Sequence, residues 1–227
     1  MKMMTMLPAT LLESKILAEL PHQAKEAILR AAEVRKTSPK EFVIHAASPA
    51  THLYLLASGR AKFYRLSHNG VELLLRWLVP GDAFGIASLL NEPLNYMGTA
   101  ETVEDSEFYV WSHAALRGLL KEYPQLADNS LRVALLYLAE FVRRHAGLLT
   151  KTAEQRLANT LLKLGDDAGN AHHGGVQVDI TNEQLSSLAD VSPFTASRLL
   201  SRWERLGAIE KKRGKVLIHA PEKLLAS

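Results

Sequence analysis

Residues 181–207, Thr181-Asn182-Glu183-Gln184-Leu185-Ser186-Ser187-Leu188-Ala189-Asp190-Val191-Ser192-Pro193-Phe194-Thr195-Ala196-Ser197-Arg198-Leu199-Leu200-Ser201-Arg202-Trp203-Glu204-Arg205-Leu206-Gly207, decide the fold of this chain. Thr181 and Gln184 have the spacing of a capping box, in which the threonine oxygen accepts from the N3 amide and the glutamine returns to the cap. Leu185, Leu188 and Ala189 then form the inner face of a short helix ending near Ala189 or Asp190. Ser192 is a second N-cap, and Pro193 falls at the first helical position, where its missing N–H costs nothing. The helix it opens runs to about Leu206, with Leu199, Leu200 and Trp203 apolar, and Gly207 stops it. Two capped helices across a three-residue turn read as a helix-turn-helix. Ala208–Lys212 and Lys215–Ile218 then flank Arg213-Gly214, the pattern of a β-hairpin wing with a basic tip.

The net charge of the chain is only +3, so its location matters more than its size. Arg198, Arg202, Arg205, Lys211, Lys212, Arg213 and Lys215 face only Glu204 and Glu210 in the same stretch. A charge run is often just a solvated face. Here it coincides with two capped helices and a basic hairpin, which points to DNA. The first turns of a recognition helix enter the major groove, and Phe194, Thr195, Ser197, Arg198 and Arg202 lie near that end. Arg198 has the fork that grips guanine O6 and N7 together. Ser197 suits a base edge or a phosphate, and Phe194 a thymine methyl. Arg202, Arg205, Lys211, Lys212, Arg213 and Lys215 suit phosphates, which supply affinity rather than sequence choice.

Upstream, the pattern changes twice. Residues 11–35 read as short amphipathic helices. Glu41–His45, Leu53–Leu56, Ala61–Leu66, Val71–Leu78, Gly98–Val103 and Glu107–Trp111 read as short strands, with Gly59 and Asn69-Gly70 at turns. Asn-Gly between such runs is a hairpin signal, because both residues accept positive φ. Many short strands at close spacing imply a small closed or rolled antiparallel structure. Ser112 caps a helix to about Tyr123, and a long helical pattern runs from Gln125 to Leu149. In it, Leu131, Leu138 and His145 stand seven apart, with Leu135, Val142 and Leu149 between them. That is a heptad seam. A second stripe, Ala134, Phe141 and Leu148, is offset from it, so the helix has two apolar faces to bury: an ordinary core helix, or one face on a twin subunit. Thr152 and Gln155 form another capping box, opening a helix to about Leu164. Residues 165–175 read as a Gly-rich loop, with His172-His173 solvated in it.

These patterns divide the α+β chain into residues 1–120, a β domain, 121–150, a long helix, and 151–227, the winged helix-turn-helix. The chain has no cysteine, which excludes disulfides, thiolate zinc sites and cysteine-held iron–sulfur clusters. No run approaches the roughly 18 apolar residues that span a bilayer. The Met-rich start, interrupted by Pro8 and Glu13, lacks the form of a signal peptide. A cytoplasmic, membrane-free protein is expected. The alternative is a metal-binding protein or enzyme on a cupin-like roll, which would need clustered His and Glu that the β region does not show.

The chain resembles the Crp–Fnr family of bacterial transcription regulators. The resemblance rests on Leu53–Gly59, Pro80–Gly85, Arg156–Leu162, Ile180–Leu185, Ser192–Leu200 and Arg213–Lys215, in order and at matching spacing. It implies a β-roll sensor like a cyclic-nucleotide-binding domain, a long dimerisation helix and a winged helix-turn-helix that binds DNA rather than catalysing a reaction. It also implies a homodimer on a pseudo-palindromic site, a hinge near residues 148–152, and RNA polymerase as a partner. The dimer helix would use Leu131, Leu135, Leu138, Val142, His145 and Leu149.

Departures from the family pattern fall on the sensor. Ile86 stands where relatives that answer cyclic AMP carry a ribose-binding Glu. Tyr96 and Met97 replace an Arg-Ser pair for the cyclic phosphate, and Phe141 and Val142 replace a Thr-Ser pair that meets the purine. A phosphodiester needs a cation or donors, so cyclic AMP is not the expected effector. The absence of cysteine removes the family's iron–sulfur sensing. An apolar pocket lined by Ile86, Tyr96, Met97, Phe141 and Val142 is expected instead. Haem or a small apolar ligand, a metabolite bound elsewhere, or the protein's own side chains are the three candidate occupants. The segment Asn95–Ala100 looks somewhat like nitric-oxide-responding relatives, which tilts toward haem, although no histidine is singled out as its ligand. On the recognition helix, Phe194 replaces a Glu that usually reads cytosine.

Overall fold

The computed structural model describes residues 9–225; the start read above as lacking a signal peptide lies largely outside them. In chain order the helices and strands are α1 (Ala9–Leu12), a 3-10 turn (Lys15–Leu17), α2 (His22–Arg30), β1 (Glu33–Thr37), β2 (Phe42–Ile44), β3 (His52–Ser58), β4 (Ala61–Leu66), β5 (Glu72–Leu78), β6 (Ala83–Phe84), a 3-10 turn (Ile86–Leu89), β7 (Thr99–Thr102), β8 (Ser106–Ser112), α3 (His113–Glu122) and α4 (Gln125–Thr150). Then come α5 (Ala153–Ala168), β9 (Asn170–His172), β10 (Gly175–Asp179), α6 (Asn182–Leu188), α7 (Pro193–Arg205), β11 (Ile209–Lys212), β12 (Lys215–Ile218) and α8 (Pro221–Leu225). No helix among the described residues is long and apolar enough to cross a membrane.

The first eight strands form two antiparallel sheets, ordered β1-β8-β3-β6 and β2-β7-β4-β5. β3 shows why they roll together. Successive side chains on a strand point to opposite faces, yet β3 is buried along nearly its whole length. Leu53 and Leu55 join Leu11, Ile16, Ile28, Trp111 and Leu116 in a core beneath the helices. Tyr54 and Leu56 join Phe84, Tyr96, Ala100 and Phe108 in a second core inside the roll. A strand with two apolar faces demands a layer on each, and the helices and the second sheet supply them. The Trp111 indole donates to the Ile28 carbonyl at 2.8 Å and ties the helical layer down. The Asn69-Gly70 signal marks the β4–β5 hairpin, with Gly70 at φ +78°.

The chain separates into two compact units that divide inside α4, after Ala139. The expected boundaries were 120 and 150. Leu126, Asn129, Ser130 and Val133 are buried in the first unit, and the buried Asn129 amide donates to the Ile16 and Ala18 carbonyls. Residues from Glu140 on go with the second unit, where Lys163 of α5 meets Glu140 at 2.7 Å.

Two local readings differ from the structure. Residues 33–35, placed in a helical stretch, belong to β1 (Glu33–Thr37), an edge strand exposed over four of its five residues. With only one neighbour and little burial, it has no strand periodicity to show. Residues 165–175 are not one loop. α5 continues to Ala168, and β9 and β10 form a hairpin that joins the wing in a sheet ordered β11-β12-β10-β9. Val176 and Val178, paired with Ile218 and Val216, give that sheet its inner face.

Candidate nucleic-acid interface and sensor interior

Both capping boxes form with both reciprocal bonds, at Thr152–Gln155 and Thr181–Gln184. At α7 the Ser192 side chain accepts from the Thr195 amide at 3.1 Å and meets the Thr195 hydroxyl at 2.8 Å. Thr195 is therefore occupied in holding the helix start. Ala196, Leu199, Leu200 and Trp203 are buried against the second unit. This leaves Phe194, Ser197 and Arg198 on the outer side of the first two turns, exposed. Phe194 is 80% exposed. Arg198 makes no ion pair or hydrogen bond with the described residues.

Four of the other cations are paired with carboxylates. Arg202 donates through Nη1 to both oxygens of Glu154 at 3.1 Å. Lys211 Nζ lies 3.1 Å from Glu204 and donates to the Ser201 hydroxyl at 2.9 Å. The Lys211 backbone N–H, and then its ammonium, hold the Glu204 carboxyl below the usual carboxylate range. Lys212 pairs with Glu210 at 3.2 Å and Lys215 with Asp179 at 3.5 Å. Arg213 stands exposed at the wing tip. Such surface pairs contribute about 0–1 kcal/mol each, so phosphate oxygens can compete for these cations.

Sequence reasoning missed the carboxylate partners outside the basic stretch, Asp179 and above all Glu154, which lies 48 residues from Arg202. It also gave no role to Arg156, whose contacts reach the turn between α6 and α7. The left-handed φ of Asp190, +53°, marks that turn.

In the first unit, Tyr96 and Ile86 pack into different cores. Tyr96 is 6% exposed inside the roll. Its hydroxyl donates to the His52 carbonyl at 3.1 Å and accepts from the His52 amide at 3.0 Å. The ring lies beside Gly85, where an added Cβ would meet the Tyr96 ring at 3.3 Å and the His52 carbonyl at 2.5 Å. Gly85 has φ +82°, a conformation glycine adopts freely. Tyr54 and Phe84 stack at 5.1 Å, and Phe108 meets both edge-on. Burial, then the Tyr96 phenol, pushes the Tyr54 hydroxyl up to about 12. Ile86 instead packs toward the helical core, and Met97 is exposed. The guanidinium at hand, Arg65, already donates to the Met97 carbonyl at 3.1 Å. The side chains of Ile86, Tyr96 and Met97 thus offer no free donor for a cyclic phosphate. Phe141 and Val142 belong to the second unit and are exposed. Among the described residues, no three His, Asp or Glu side chains gather as a metal site.

On α4, Leu131, Leu135, Leu138, Val142 and Leu149 are each more than half exposed. His145, exposed with them, stacks on Phe141 at 6.4 Å between ring centroids. Leu131, Leu135 and Leu138 lie in the first unit, and Val142, His145 and Leu149 in the second.

Residues 34–123 match the family description of the cyclic nucleotide-binding domain, and residues 155–227 that of the Crp-like helix-turn-helix domain. The chain is 32% identical over 165 residues to the cyclic AMP receptor protein of Thermus thermophilus, covering 72% of this chain and 73% of that one. It is 28% identical over 201 residues to a CRP-like cAMP-activated global transcriptional regulator of Mycobacterium tuberculosis, covering 86% and 89%. Among solved structures, the c-di-GMP responsive global regulator CLP of Xanthomonas campestris superposes with a TM-score of 0.76 at 20% identity, covering 88% of this chain and 99% of that one. FixK2 of Bradyrhizobium japonicum gives 0.72 at 20% identity, with coverage of 86% and 96%.

Proposed function

Because the chain belongs to the Crp–Fnr family of transcription regulators, with a DNA-binding helix-turn-helix domain, we propose that it works as a homodimer on a pseudo-palindromic DNA site and does not answer to cyclic AMP. The observation that carries the site assignment is the outer face of α7. Arg198 is exposed and uncommitted there, beside exposed Ser197 and Phe194. Arg198 reads a guanine, Phe194 presses on a thymine methyl, and Ser197 bonds a neighbouring base edge or phosphate. Arg202, Lys211, Lys212, Arg213 and Lys215 contact phosphates, four of them by exchanging a carboxylate for a phosphate oxygen. The exposed α4 stripe supports pairing with a second copy, because burying it needs an equal face and a two-fold axis supplies one. Half-sites then lie about one helical turn, roughly 34 Å, apart.

The Tyr96 ring beside Gly85 supports the effector reading. It occupies the inside of the roll with its hydroxyl satisfied, so the expected pocket is filled by the protein's own side chains. Selection of bound duplexes from a random pool, sedimentation of the free protein and titration with cyclic AMP test the proposal together. The expected outcome is a two-fold related sequence with a guanine in each half, a dimer, and no heat of nucleotide binding. A monomer selecting a single half-site, or saturable cyclic AMP binding, would overturn it.

A further inference from the structure

Arg156, on the first turns of α5, donates to three carbonyls on two separate pieces of backbone. Its Nη1 donates to the carbonyl of Lys151, in the link between α4 and α5, at 2.9 Å. Its Nε donates to Ala189 at 3.2 Å and its Nη2 to Asp190 at 3.0 Å. Ala189 and Asp190 are the turn between α6 and the recognition helix α7. One planar guanidinium thus spans the link and the turn, a geometry that its rigid fork of donors permits and a lysine does not. Asp190 sits in the left-handed region at φ +53°, unusual for a non-glycine residue.

Two further contacts flank this one. Arg144, from the last part of α4, lies 3.6 Å from the Asp190 carboxylate. Glu154, two residues before Arg156, holds Arg202 on α7. Every one of these residues lies in the second unit, which begins at Glu140. The segment expected to flex, residues 148–152, is therefore clasped from both sides.

We propose that Arg156, flanked by Arg144 and Glu154, is a positioning residue that locks the recognition helix to the C-terminal half of α4, so that α4 sets the spacing of DNA half-sites. This rests on the dimer reading above. The reasoning is that the same half of α4 carries Val142, His145 and Leu149 of the pairing face. With α7 fixed to that half, pairing two α4 helices fixes the distance between two α7 helices. Any rearrangement that moves α7 then takes residues 140–150 with it, and flexing occurs nearer Ala139 than Lys151.

The chain has no cysteine, so two introduced ones are the only labelling sites. Spin labels at Ala146→Cys on α4 and Asn182→Cys on α6 report the link directly, with labelled chain diluted into unlabelled chain to isolate distances within a protomer. A single narrow distance distribution is expected. Arg156→Met and Arg156→Lys should each at least double its width, because neither side chain reaches three carbonyls. Arg144→Met combined with Glu154→Gln, which removes the two flanking ion pairs, should broaden it less; that pair keeps the test open if the Arg156 variants do not fold.

On a duplex selected by the unmodified protein, inserting one or two base pairs between half-sites should weaken the unmodified protein about tenfold per step, since each step turns one half-site away from its helix. Arg156→Met should flatten this series to within about threefold while binding an isolated half-site duplex as well as before. Damage to α7 itself would instead weaken half-site binding. Unchanged distance widths in all variants, or an unchanged spacing series in Arg156→Met, would overturn the inference. A selected sequence without two-fold symmetry would sink the dimer reading instead, and the distance widths would still decide whether Arg156 holds α7 to α4.

Discussion

Tyr96 in the first unit and Phe194 in the helix-turn-helix domain are both aromatic where the resemblance led to the expectation of a polar residue, an arginine at the first position and a glutamate at the second. Tyr96 is 6% exposed and its hydroxyl is used twice by one backbone residue. Phe194 is 80% exposed. Folding accounts fully for Tyr96, since fully burying a large apolar side chain contributes about 1.5–3 kcal/mol. It does not account for Phe194, which forgoes that contribution on the face proposed above to meet DNA. One aromatic side chain thus lies in a packed interior and the other on an open surface.

The widest effect expected is at Tyr96. Tyr96→Ala removes a ring from a packed interior and leaves the Tyr54–Phe84–Phe108 cluster beside a hole, costing about 3–5 kcal/mol of stability by urea unfolding. Tyr96→Phe should cost about 1–2 kcal/mol, because the His52 N–H and carbonyl lose their partner. Neither variant should gain cyclic AMP binding. A Tyr96→Ala protein as stable as the unmodified one would mean that the ring is not part of the core, and the contrast with Phe194 would collapse.

The next effects belong to the open surface. Arg198→Ala should lose about 1–3 kcal/mol on the selected duplex, the value of a bidentate guanine contact, and little on random DNA. Equal loss on both would reduce Arg198 to a phosphate contact. Phe194→Ala should leave the unfolding curve unchanged and cost about 1 kcal/mol on the selected duplex. Replacing thymine by uracil in that duplex deletes only the methyl group. It should weaken the unmodified protein by a similar amount and leave Phe194→Ala unaffected, since the two changes remove one contact. Additive losses would separate the ring from the methyl.

How far these surfaces were legible in the sequence follows from where their determinants lie. The helix starts were readable because a capping box is written within four residues, as at Thr181–Gln184. The β4–β5 hairpin was readable because Asn69-Gly70 carries its own turn geometry. β1 was not, since an exposed edge strand leaves no apolar alternation. Nor was the state of the basic residues. Glu154 neutralises Arg202 from 48 residues away, and only folding brings them to 3.1 Å. The expected pocket failed to gather for a similar reason. The family resemblance put Ile86 and Tyr96 on one site, whereas the roll turns Tyr96 inward and Ile86 toward the helical core.

The smallest effect sharpens the contrast between a buried tie and an exchangeable one. Glu140 meets Lys163 at 2.7 Å and Arg143 at 2.7 Å, at the start of the second unit. Burial raises its pKa, but the two cations outweigh it and hold the carboxyl below the usual range. A carboxylate whose folded pKa is lowered contributes stability above its unfolded pKa, about 4.3, and loses it as pH falls through the folded value. Glu140→Gln should therefore cost about 0.5 kcal/mol at neutral pH, the scale of a partly exposed pair. Unfolding curves of the two proteins should keep their separation down to about pH 4.5 and merge below it. Near 1 M salt, where the screening length is about 3 Å, the gap should vanish at every pH. The Tyr96 losses, which rest on packing and a shielded hydroxyl, should survive that salt. If the Glu140 gap survives it too, the pair is more deeply buried than its exposure implies, and the second unit is held by the same means as the first.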